Sequence, residues 1–123
     1  MALTVKLYIT DDEGEKYMGY GVLWLLEEIE KSGSLRQAAM NIGLSYSKAY
    51  GMMTKLEKAL GCSIIDRKKG GVSRAGSAIT PFAHKYIELY RAFQKEAKEQ
   101  CEALYRDFEK QADQLRRSED ARE

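Results

Sequence analysis

The sequence predicts a mainly α fold with small β elements, in which two short helices cross at a glycine turn between an N-terminal β-hairpin and a long C-terminal helix. Three observations carry that prediction. Two amphipathic segments within residues 34–60 meet at Gly43, with small residues where they would cross. Residues 3–10 alternate apolar and polar. From Pro81 to about Arg117 nothing interrupts a helical pattern.

Leu3, Val5, Leu7 and Ile9 alternate with Thr4, Lys6, Tyr8 and Thr10, the period-two pattern of a half-buried strand. Asp11-Asp12-Glu13-Gly14 reads as a turn, and Lys16-Tyr17-Met18 returns as the second strand of a hairpin over residues 3–18. Gly19 and Gly21 separate the hairpin from a helix whose stripe is Val22, Leu25, Leu26 and Ile29, ended by Ser32-Gly33. Ser34 with Gln37 has the form of a capping box for a short second helix with apolar Leu35, Ala38, Ala39 and Ile42, stopped by Gly43. Ser45 caps a third helix in which Ala49, Met52, Met53, Leu56 and Leu60 recur at helical spacing, and Gly61 closes it as a left-handed residue.

Cys62-Ser63-Ile64-Ile65-Asp66 is β-prone, residues 67–77 form a basic, glycine-containing loop, and Ala78-Ile79 can return beside the first run. Helix, strand, loop and returning strand make a wing over residues 62–80, so the whole reads as a winged helix-turn-helix domain over residues 1–80. Thr80-Pro81 places an N-cap before a proline at the first helical position, where its missing N–H is harmless. The long helix is expected over residues 81–117, about 54 Å at ~1.5 Å per residue, with a frayed tail over 118–123.

Charge is segregated along the chain. The formal net charge is only +1, yet residues 1–30 hold two Lys against seven acids, a net of −5. Residues 31–95 hold twelve Lys/Arg against Glu57, Asp66 and Glu88, a net of +9, and residues 96–123 return −3. A basic middle is the electrostatic footprint of a nucleic-acid reader, and its coincidence with the helix-turn-helix and the wing points to double-stranded DNA. On the third helix, Ser45, Tyr46, Ser47, Lys48, Tyr50, Thr54 and Lys55 are the candidates for base and nearby phosphate contacts, because such a helix enters a major groove with its N-terminal side chains at base edges. Arg36, Arg67, Lys68, Lys69 and Arg74 are the backbone-charge candidates, the last four lying within eight residues of the wing.

In the long helix Phe82, Phe93, Leu104 and Leu115 stand eleven apart, a period that keeps an apolar stripe on one side. Phe82 to Phe93 is expected to pack on the first helix. The remainder exceeds what a domain of this size can cover, so Phe93, Ala97, Cys101, Leu104, Phe108 and Leu115 are expected to meet a second copy in a homodimer.

Other classes lack their parts. His84 is the lone histidine, expected at a phosphate or in solvent, and no nucleophile, base or metal-ligand set accompanies it, so neither enzyme, metal nor cofactor is expected. Cys62 is expected in the core and Cys101 on the dimer stripe, with no disulfide framework. No run approaches a membrane span and the N-terminus lacks the form of a secretion signal, which leads to an expectation of a cytoplasmic protein.

Residues 21–29 (Gly-Val-Leu-Trp-Leu-Leu-Glu-Glu-Ile), residues 32–39 (Ser-Gly-Ser-Leu-Arg-Gln-Ala-Ala) and residues 43–50 (Gly-Leu-Ser-Tyr-Ser-Lys-Ala-Tyr) resemble the DNA-binding domain of the molybdate-responsive ModE regulators. The stretch from Asp66-Arg67-Lys68-Lys69-Gly70-Gly71 to Thr80-Pro81 is similar to that family too, and residues 32–39 and 54–61 share a broader likeness with LysR-type regulators. The resemblance covers roughly residues 3–95. It implies a dimeric bacterial or archaeal transcription regulator on a palindromic operator, with the third helix reading DNA. It assigns molybdate to no residue here, and the small-molecule effector stays unknown. Two alternatives remain beside it: a protein-interaction module on the same scaffold, and an oxyanion sensor that uses the dimer interface.

Overall fold

The computed structural model of the protein describes residues 1–67 and 78–122. Among these, the elements run β1 (Tyr8–Thr10), β2 (Lys16–Gly19), α1 (Tyr20–Ser32), α2 (Leu35–Asn41), α3 (Tyr46–Leu60) and α4 (Pro81–Arg122). They pack as two units, Lys6–Tyr90 and, separately, Met1–Val5 with α4 from Arg91 onward.

The hairpin is present but shorter than the alternation suggests. Strand β1 pairs antiparallel with β2 through Tyr8↔Gly19, Ile9↔Met18 and Thr10↔Lys16, with an irregularity between Ile9 and Thr10. Residues 3–7 are not strand, because β2 ends at Gly19 and the chain turns at once into α1, leaving them no partner. Their alternation still reports burial: Leu3, Val5 and Leu7 are half-buried while Thr4 and Lys6 are exposed. Asp11 organises the turn, its Oδ1 accepting from the N–H groups of Glu13 and Glu15 at 2.9 Å each.

Helix α1 starts at Tyr20, two residues earlier than the glycine punctuation implies, so Gly21 lies inside it. Gly19 belongs to the hairpin instead: a Cβ there would sit 2.8 Å from the Tyr8 ring. The buried stripe of α1 is Leu23, Leu25, Leu26 and Ile29, with Val22 only partly buried.

The two helix starts that follow agree with their caps. Ser34 Oγ accepts from Gln37 N–H at 2.9 Å, and Ser45 Oγ accepts from Lys48 N–H at 3.1 Å. The first cap is one-sided, because the Gln37 side chain donates forward to Asn41 Oδ1 at 2.9 Å. Ala38, Ala39 and Ala49 are fully or almost fully buried where α2 meets α3, and only small side chains allow so close a crossing. Gly43 turns the chain between them at φ +75°, a left-handed conformation that side chains with a Cβ disfavour.

Around that crossing lies one core, built from Met18, Leu25, Leu26, Ile29, Met53, Leu56, Ile64 and Ile87 with their neighbours. Among the described residues, the base of the wing reaches it through the antiparallel bridge Ile65↔Ile79. Asp66 N–H donates to Ala78 carbonyl at 2.7 Å and Thr80 N–H to Ile64 carbonyl at 2.9 Å. Thr80 Oγ1 both donates to the Ser63 carbonyl and accepts from Ala83 N–H, fixing where α4 begins. Lys68, Lys69 and Arg74 lie outside the described residues. Cys62 is exposed rather than in the core: it follows the left-handed Gly61, at the point where the chain leaves α3.

Helix α4 contributes Ala83, Ile87 and Tyr90 to the core. That face is offset from the one expected, since Phe82, Leu89 and Phe93 are exposed. The helix also runs on to Arg122 in place of a frayed tail from Ser118. Asp113 accepts from both Arg116 and Arg117 near that end, the i,i+3 and i,i+4 pairing that supports a helix exposed to water.

Candidate nucleic-acid interface

Burial of Ala49, Met53 and Leu56 fixes the orientation of α3. At 100° per residue the opposite side carries Ser47, Gly51, Thr54 and Lys58, flanked by Tyr50, all of them exposed. Ser45, Tyr46 and Lys48 are exposed at the N-terminal end of the same helix. Gly51 and Lys58 are additions that the sequence reading missed. The signal was available, since Ser47, Gly51, Thr54 and Lys58 follow 4-3-4 spacing. A Cβ at Gly51 would meet nothing within 4 Å, so no packing requires glycine there.

Lys55 stands apart from this face. Its Nζ is 3.1 Å from Glu15 Oε2, tying α3 to the hairpin turn. Arg36 on α2 lies over the Tyr46 ring at 4.3 Å from the centroid, within the range where a guanidinium is attracted to an aromatic face. Tyr46 and Tyr50 in turn stand 6.1 Å apart. Between them, α2 and the wing base opens a cleft of about 310 Å³ with Leu35, Met53, Ile65 and Ala78 as its apolar part and Arg36 and Arg67 among its polar lining.

Arg67, expected to face phosphate, is engaged within the protein. Its Nη2 donates to Glu57 Oε1 at 3.0 Å and its Nη1 to Glu57 Oε2 at 3.2 Å, a fork on a carboxylate. Glu57 Oε2 also accepts from Ile64 N–H at 2.8 Å and Ile65 N–H at 3.1 Å. Burial alone would raise the Glu57 pKa, but the Arg67 hydrogen bonds and the two N–H groups outweigh it and hold the carboxyl below its usual range. The same fork raises the Arg67 pKa against its own desolvation, with a smaller contribution from Tyr50 nearby. Sequence reasoning counted Glu57 only as an acid among bases; nothing in the linear order shows that it faces residues 64–67.

His84 is not simply solvated, since its Nδ1 lies 2.6 Å from Glu30 Oε2 of α1. Along α4, Leu104, Phe108 and Leu115 are 64–70% exposed and Phe93 is half-exposed, while Ala97 and Cys101 are half-buried. Tyr105 and Phe108 stack at 6.3 Å. Leu104, Phe108 and Leu115 of the expected stripe thus present apolar side chains at the surface. No group of three or more His, Cys, Asp or Glu among the described residues could hold a metal ion. No described helix is long and apolar enough to cross a membrane.

Comparison with known proteins adds to this geometry. Residues 22–81 match the family described as bacterial regulatory helix-turn-helix protein, lysR family. The chain is 35% identical over 66 residues to the transcriptional regulator ModE of Haemophilus influenzae, covering 54% of this chain and 26% of that protein. It is 31% identical over 77 residues to the molybdenum-pterin-binding protein MopB of Rhodobacter capsulatus, 63% of this chain and 28% of the other. It is 30% identical over 66 residues to the DNA-binding transcriptional dual regulator ModE of Escherichia coli K12, 54% and 25% respectively. The aligned part thus spans about a quarter of the length of these relatives.

Proposed function

We propose that the protein is a cytoplasmic transcription regulator, a reading supported by the match of residues 22–81 to the lysR-family helix-turn-helix and by 30–35% identity to ModE regulators over about half of the chain. It binds double-stranded DNA sequence-specifically, as a homodimer on a palindromic operator. The observation that carries this reading is the exposed polar face of α3, with Ser47, Tyr50 and Thr54 around the bare backbone of Gly51 and a buried apolar face behind it. In a major groove such a face puts hydroxyls and a phenol at base edges. Ser45, Tyr46, Lys48 and Lys58 extend the contact, and Arg36, Lys68, Lys69 and Arg74 supply charge for phosphates. Arg67 and Lys55 act within the protein, paired with Glu57 and Glu15.

The homodimer rests on the exposed stripe from Phe93 to Leu115, which water disfavours and which a second α4 would cover. Selection of duplexes from a random pool, followed by binding at several salt concentrations, tests the DNA reading. Lys68→Ala with Lys69→Ala should weaken all duplexes alike and flatten the salt slope by about two phosphate equivalents. Absence of any salt-dependent duplex binding would overturn the reading. Sedimentation of the intact protein at micromolar concentration tests the dimer. Leu104→Glu with Phe108→Glu should shift it to monomer, and a wild-type monomer would remove the stripe from the interface.

A further inference from the structure

We infer that Glu57 is a positioning residue for DNA recognition, setting at once the exit of the wing and a wall of the cleft that Tyr50 of α3 lines, without itself touching DNA. The inference rests on the DNA-binding reading above. Both carboxylate oxygens are spent on the protein: Oε1 on Arg67, and Oε2 on Arg67 and the N–H groups of Ile64 and Ile65. The side chain is only 16% exposed, so it is not offered to a ligand.

The position on the helix gives this clamp its reach. Glu57 lies two turns after Tyr50 on α3, close to the same side. Arg67, held by Glu57, lines the same cleft as Tyr50. Tyr50 also stands beside Tyr46, whose ring carries Arg36. One carboxylate on α3 thereby reaches the wing base and, through Arg67, the aromatic wall of the cleft. A guanidinium fork fixes direction as well as distance, so loss of the fork removes a fixed wall of the cleft that Tyr50 lines.

The sign of the charge makes the idea testable. An acid within a DNA-facing helix repels phosphate, so simple electrostatics expects Glu57→Gln to bind every duplex at least as tightly as wild type. Positioning expects discrimination to fall. The measurement is the dissociation constant for a scrambled duplex divided by that for a wild-type-selected duplex of equal length, using the full chain at fixed salt. Glu57→Gln should lower that ratio about tenfold, the scale of one mismatched base pair, while scrambled-duplex affinity holds or rises. Arg67→Lys, which keeps the charge and loses the fork, should lower it similarly. A wild-type ratio in Glu57→Gln with an unchanged melting curve overturns the inference and leaves the DNA reading intact. Should Glu57→Gln fail to fold, a wild-type ratio in Arg67→Lys overturns it instead. A wild-type protein that binds no duplex fails the DNA reading, and the inference falls with it.

Discussion

Ser45→Ala removes the oxygen that accepts from Lys48 N–H at 3.1 Å. Ser45 is exposed, so no packing is lost, and the backbone bond from Ala49 N–H to the Ser45 carbonyl remains. The change therefore isolates one N-cap, worth about 1 kcal/mol, which lowers the melting temperature by about 4–8 °C in a domain of 60–100 residues. Ser45→Asp keeps the acceptor and adds a negative charge where the helix dipole welcomes it, so its stability should match or exceed wild type. Duplex binding should rank differently. Ser45→Ala loses little there, whereas Ser45→Asp sets a carboxylate against phosphates and weakens binding most. Melting followed by circular dichroism, alongside anisotropy on a selected duplex, reads both orders. The reasoning fails if Ser45→Ala melts with wild type, or if Ser45→Asp melts below it. A Ser45→Asp that binds DNA as tightly as wild type would remove this end of α3 from the contact.

Three further outcomes follow from the same structure. The carboxyl of Glu57 is held below its ordinary value of 4.5, so its stabilisation is complete above that pH and is lost as pH falls through the lowered folded value. The stability gap between wild type and Glu57→Gln, followed by urea melts from pH 6 downward, should shrink below pH 4.5; a gap constant with pH would contradict the clamp. Burial, with Tyr17 and Tyr90 nearby, pushes the Tyr86 hydroxyl up to about 12 from 10. The folded state then holds that proton more tightly, and stability should fall as pH rises from 10 toward 12, less steeply in Tyr86→Phe than in wild type. Gly61 ends α3 at φ +67° with open space around a Cβ, so Gly61→Ala should cost about 1 kcal/mol from backbone strain alone. An unchanged denaturation midpoint would show that α3 ends differently in solution.

Much of this fold was legible because its signals are local. Ser34, Ser45 and Thr80-Pro81 announce helix starts within three residues of themselves, and Gly43 and Gly61 announce turns. The alternation of residues 3–9 reported burial faithfully even where no strand forms, since burial depends on the pleat and strand assignment on a partner. What escaped the reading depends on distant neighbours. Whether Gly19 or Gly21 opens α1 is decided by the Tyr8 ring across the hairpin. Which stripe of α4 meets the core is decided by where Thr80 fixes its first turn, and Ala83, Ile87 and Tyr90 won over the larger Phe82 and Phe93. At the candidate interface, periodicity found Ser47, Tyr50 and Thr54, yet Lys55 and Arg67 read as free cations until their partners Glu15 and Glu57 became visible.

Gly51 carries a consequence for how the sequence is tuned. A glycine in a helix interior gives up roughly 0.5–1 kcal/mol relative to alanine, and at this position a methyl group would meet no obstacle. Gly51→Ala is thus a route to a sturdier protein that the sequence does not take. On the DNA reading, the missing methyl lets backbone approach the duplex more closely, and the sturdier variant would be the poorer regulator. On that reading stability and activity pull in opposite directions at a single carbon, and the chain sits below its own stability ceiling there.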